Sequence, residues 1–68
     1  MYRVEVSHQD GRQLVPPIAE ASFDFGTAEA ALAQVLPQAK QWAESRRQTV
    51  WLRIYDQNSR VVFGTLLP

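Results

Sequence analysis

No cysteine occurs in the 68 residues, so neither a disulfide nor a thiolate metal site can brace the fold. Charge of one sign is lacking too. Seven basic residues balance seven acidic ones, which removes any general attraction to nucleic acid or an anionic membrane. No apolar run approaches the roughly 20 residues that cross a bilayer. The stretch Met1 to Val6 alternates charged and apolar residues without a hydrophobic signal core, so it is not read as a secretory leader. These absences predict a bacterial-type cytoplasmic protein. Internal repeats, low-complexity segments and linkers are missing as well, so residues 1–68 are read as one domain. A chain this short buries only about 60% of the surface it exposes unfolded. With disulfides and thiolate metal sites excluded, oligomerisation is the usual remaining brace.

What is present reads as a globular α+β domain. Tyr2, Val4 and Val6 alternate with Arg3, Glu5 and Ser7, the period-two pattern of a half-buried strand. Asp10-Gly11 signals a tight turn, and Arg12 to Val15 is expected to return as a short second strand. Pro16-Pro17 ends it, because proline donates no ladder hydrogen bond. Residues 18–26 are irregular, with Ile18, Phe23 and Phe25 as core anchors. Thr27 is a good N-cap and Glu29 suits the first turn of a helix. Ala28, Leu32, Val35, Ala39 and Trp42, flanked by Ala31, Leu36 and Ala43, form one apolar helical stripe. Pro37 interrupts it at a cost of about 3 kcal/mol. The stripe keeps its phase, so one kinked helix over 28–45 is preferred to two short ones. Thr49 to Asp56 is the clearest strand, with β-branched and aromatic types alternating. Gln57-Asn58-Ser59 is a turn, with Asn58 expected in the left-handed conformation, and Arg60 to Leu67 is the last strand.

The order is ββαββ: a four-stranded, mainly antiparallel sheet with one helix packed on one face. A single helix covers only one side. Val50, Leu52 and Ile54, with Tyr2, Val4 and Val6, are expected beneath it. The other side then carries Arg3 and Glu5 with Trp51, Arg53 and Tyr55. The last strand adds either Val61, Phe63 and Thr65 or Val62, Gly64 and Leu66, according to register. Either choice leaves large apolar side chains on the side without a helix, unless residues 16–25 fold over it. Such patches mark interaction sites, and Trp, Tyr and Arg dominate interface hot spots. Trp51, Arg53, Tyr55, Arg3 and Phe63 are therefore the expected protein interface.

Chemistry finds little support. His8 stands near Asp10 in a turn, but no nucleophile or further ligand set accompanies the pair, and a solvent-exposed turn histidine is the plainer reading. The seven carboxylates are scattered, and Asp24 reads as a capping or dipole residue. Gly11, Gly26 and Gly64 form no phosphate cradle. No enzymatic activity, cofactor, metal or small-molecule substrate is expected. Single-stranded nucleic acid could stack on exposed aromatics, with Arg46-Arg47, Lys40 and Arg53 as a local basic patch. The ribonucleoprotein strand signature is absent, and cations in a last helical turn already suit the helix dipole.

Asp10-Gly11, Phe23-Asp24-Phe25 ahead of Thr27-Ala28-Glu29-Ala30-Ala31, and Val50 to Leu66 resemble the pattern of a family of short bacterial ββαββ proteins of unknown function. The resemblance spans nearly the whole chain. It implies the fold and no activity. The chain departs from the pattern at Asn58-Ser59, where a glycine turn is more usual, and at Pro37. The sequence thus leads to a small non-catalytic protein that forms a homodimer or docks a protein partner through a sheet face, with no membrane contact. A phage or mobile-element inhibitor of a host complex is the first alternative, and single-stranded nucleic-acid binding the second.

Overall fold

A computed structural model describes residues 1–68. Strand β1 (Tyr2–His8) is followed by a 3-10 turn at Ala19–Ser22, strand β2 (Asp24–Phe25), helix α1 (Ala28–Arg46), and strands β3 (Val50–Tyr55) and β4 (Val61–Leu67). The sheet order is β2-β1-β3-β4, with every pairing antiparallel and the helix packed on one side. This is the expected ββαββ arrangement. No helix is long and apolar enough to cross a membrane.

The second strand is not where the sequence places it. After Gly11 the chain makes a single bridge, Ser7 to Gln13, and then leaves the sheet. Leu14 turns into the core at 4% exposure, and Pro16-Pro17 cannot continue a ladder. Asp24 and Phe25 take the place beside β1 instead, opposite Arg3 and Tyr2. Phe23 falls just outside that ladder, at the end of the 3-10 turn, and is 57% exposed rather than a core anchor. Ile18 and Phe25 do pack against the core, half-buried. The Val15–Pro16 peptide bond is cis.

Helix α1 starts where Thr27 Oγ accepts the Ala30 N–H at 3.0 Å. It continues through Pro37, which is exposed. Its buried residues are Ala31, Val35, Ala39, Trp42 and Ala43. Three of these are alanines with 0–1% exposure, so the helix lies close to the sheet, and larger side chains there would overpack it. Below them sit Val4, Val50, Leu52, Ile54 and Leu67. Full burial of a side chain such as Leu52 or Ile54 stabilises by about 1.5–3 kcal/mol. The helix ends with Arg47 in the left-handed conformation, φ 54°. There the Gln48 N–H reaches the Ala43 carbonyl at 3.1 Å and the Arg47 N–H the Glu44 carbonyl at 3.3 Å, the two bonds of a Schellman end.

The two hairpin turns share one form. His8 N–H bonds the Arg12 carbonyl at 2.8 Å and Gly11 N–H the His8 carbonyl at 2.9 Å. Asp56 N–H bonds the Arg60 carbonyl at 2.9 Å and Ser59 N–H the Asp56 carbonyl at 3.0 Å. In such three-residue loops the last residue is left-handed. Gly11 takes that place with φ 94° and Ser59 with φ 62°. Ser59, not Asn58, is therefore the left-handed residue of the second turn. Asn58 sits one step earlier, its N–H held by Asp56 Oδ1 at 2.8 Å.

Candidate interaction face

Residues directly opposite in an antiparallel pair share a face. Val4 with Ile54, Val6 with Leu52 and His8 with Val50 point to the helix side. Arg3 with Tyr55, Glu5 with Arg53 and Ser7 with Trp51 point to the other side. In β4, Leu67, Thr65 and Phe63 oppose Val50, Leu52 and Ile54, while Leu66 and Gly64 oppose Trp51 and Arg53. The ladder then slips by one residue, so that Val61 opposes Tyr55, the mark of a β-bulge that bends the strand.

Four of the five expected interface residues thus share the open face. Phe63 does not. Its pairing with Ile54 places it on the helix side, where it is still 39% exposed. The second register weighed from sequence is the one adopted, and Leu66 takes the place on the open face that Phe63 was expected to fill.

The polar and aromatic groups of the open face hold one another. The Arg3 guanidinium lies 4.2 Å from the Tyr55 ring centroid, and its Nη2 donates to Ser59 Oγ at 3.3 Å. The Arg53 guanidinium lies 4.7 Å from the Trp51 ring centroid and donates from Nη2 to Glu5 Oε1. Asp24 stands opposite Arg3 on the neighbouring strand. Trp51 Nε1 and Arg53 Cγ each lie 3.7 Å from where a Cβ would stand on Gly64. Both side chains thus flank Gly64 with room to spare, a neighbourhood fixed by register between strands and not by spacing within one.

On its β3–β4 side the face is apolar and open. Trp51 is 38% exposed, Leu66 49%, Val62 48% and Val61 55%. Residues 16–25 do not cover it. Ile18 and Ala21 pack against the core, Pro16 accepts the Trp42 Nε1–H at 3.0 Å, and Pro17 to Glu20 border a cleft with Gln38, Gln41 and Ser45 of α1. That segment closes the helix side and the β1 edge beside Glu5 and Ser7, and leaves the β3–β4 part of the opposite face exposed.

The remaining polar groups settle into local roles. Asp10 takes the Arg12 N–H at 3.1 Å and Arg12 Nε at 2.7 Å and makes no hydrogen bond with His8. The His8 ring instead meets Trp42 edge-on, with centroids 5.6 Å apart. They border an open cleft of about 790 Å³ with Arg12, Arg46 and Thr49. The Arg12 backbone N–H holds the Asp10 carboxyl below its ordinary value, and the Arg60 backbone N–H does the same for Asp56. Asp24 makes no bond to the helix; Thr27 alone caps it. No group of three or more His, Cys, Asp or Glu side chains forms a metal-holding cluster. Of the basic residues, Arg53 stands apart from Lys40, Arg46 and Arg47 of the helix and its cap. Arg46 stacks on Trp42 at 4.4 Å, whereas Arg53 lies across the sheet on the open face.

Compared with known proteins, the chain matches no family model, no curated protein and no solved structure. Its function is therefore argued from its own residues.

Proposed function

We propose that the protein is a non-catalytic interaction module whose working surface is the open sheet face around Arg3, Trp51, Arg53 and Tyr55, used for self-association or for docking a protein partner. The observation that supports this reading is the exposure of Trp51, Leu66, Val61 and Val62 on the β3–β4 part of the sheet side away from the helix. Tryptophan, tyrosine and arginine are the residue types enriched in interface centres.

The same geometry favours a protein partner over a nucleic acid. Arg3 already stacks on Tyr55 and Arg53 on Trp51, so a base would have to displace a guanidinium from each ring. Glu5 offsets the Arg53 charge, and the chain carries no net charge to draw phosphates. An interface built on guanidinium-stacked aromatics needs no such charge.

The test is the double variant Trp51→Ala, Tyr55→Ala, compared with wild type by analytical ultracentrifugation. The wild type is expected to self-associate at micromolar concentration. The variant should sediment as a smaller species than the wild type, with unchanged far-ultraviolet circular dichroism. Association equal to wild type in the folded variant overturns the role of this face.

A further inference from the structure

The two edges of the sheet are treated differently. On the β1 side, β2 is only two residues long and bears Asp24, and Gln13 caps the other end of β1 through its single bridge. Short, charged and interrupted edges resist pairing with another chain. The β4 side has no such protection. Its seven residues, Val-Val-Phe-Gly-Thr-Leu-Leu, contain no charge and no proline, and nothing pairs with its outer edge. Its bulge lies at the start, so the ladder from Phe63 to Leu67 is regular.

Apolar exposure on β4 occurs on both sides of the sheet. Leu66, at 49%, faces the open side, and Phe63, at 39%, faces the helix side without being fully covered there. A partner stacked on the open face would cover Leu66 and leave Phe63 in water. Only a neighbour placed beside the strand, extending the sheet and both its layers, covers the two together.

We infer that β4 pairs edge to edge with β4 of a second copy of this chain, antiparallel about a two-fold axis near Gly64, to give one continuous eight-stranded sheet. The strand is apolar-palindromic about that glycine. In this register Val62 faces Leu66 of the second copy and Phe63 faces Thr65, so large apolar groups meet apolar groups or a threonine methyl. Because the strand is uncharged, a second copy meets it without like-charge repulsion, whereas a strongly charged strand finds no complement there. Positions of equal parity pair, so both helices lie on the same side and Phe63 of each copy fills the seam between them. A seven-residue strand is about 23 Å long. With side chains on both sides of it, the contact buries on the order of 1,000 Å² in total, at the lower limit for specific association. The dimer is accordingly expected to dissociate in the micromolar range. Pairing sets the two open faces side by side as one surface of doubled width. The inference does not depend on what, if anything, docks on that surface.

Phe63→Glu tests it, because Phe63 is off the open face. Hydrogen–deuterium exchange on the wild type is expected to show amides within 61–67 gaining protection, at least tenfold, between low and high micromolar concentration. Phe63→Glu should lose that gain and sediment as a smaller species, while Trp51→Ala with Tyr55→Ala should keep the gain. Should Phe63→Glu fail to fold, Thr65→Lys, also on the helix side of β4, serves in its place. If association persists in the folded Phe63→Glu variant, or if 61–67 exchange does not depend on concentration, the edge pairing is wrong. Loss of association in the Trp51, Tyr55 variant alone would uphold the open face and reject the edge.

Discussion

Arg47 holds a conformation that glycine adopts without steric cost. Its φ of 54° closes the helix, and no side-chain contact at this exposed position requires arginine. An L-residue with a Cβ is disfavoured there by about 1 kcal/mol. Arg47→Gly is therefore expected to stabilise the domain by up to that amount, raising Tm by about 4–8 °C, as read by thermal circular dichroism. A lower Tm would mean that the charge at the helix end outweighs the backbone term. The turn carboxylates set a second residue-scale expectation. Asp10 and Asp56 are held below their ordinary values by backbone N–H groups and by arginines. A group depressed in the folded state contributes stability at neutral pH and loses it as pH falls below about 4, through the unfolded and then the folded value. Replacing both by asparagine should narrow the difference between Tm at pH 7 and at pH 3. An unchanged difference would place the acid sensitivity elsewhere.

Among the elements, α1 carries one unfavourable residue in its interior. Pro37 donates no N–H to the Ala33 carbonyl one turn earlier, and its exposed ring contributes nothing to the core. Pro37→Ala should stabilise by about 2–3 kcal/mol, measured by urea denaturation. Equal or lower stability would show that the proline is accommodated at no cost. The helix was readable from the sequence because its stripe, Ala28 to Ala43, keeps one phase across that proline. The central strands were readable for the same reason, since Val4, Val6, Leu52 and Ile54 alternate cleanly. The second strand was not. Arg12 to Val15 has strand-like residues after a genuine Asp-Gly turn, yet Leu14 finds the core by leaving the ladder. The two-residue β2 that replaces it is too short to show a period. At the site, Arg3, Trp51, Arg53 and Tyr55 could be placed by alternation on β1 and β3. Phe63 could not, because the bulge that fixes the parity of β4 depends on pairing between strands rather than on spacing within one.

At the scale of the whole molecule, a 68-residue chain without cysteine covers one side of a sheet and leaves the β3–β4 part of the other exposed. The helix uses small alanines to sit close on Val50, Leu52 and Ile54, and residues 16–25 spend their few apolar groups closing that same side. What remains outside is Trp51, Leu66, Val61 and Val62 on the face, and Phe63 at the unprotected edge. A small core and a surplus of apolar surface call for the same remedy, burial against another chain. The most direct check is size-exclusion chromatography with light scattering from low to high micromolar concentration. The account predicts a mass rising from the 7.7 kDa of a single chain toward twice that value or more; a mass that stays at 7.7 kDa throughout the range would contradict it.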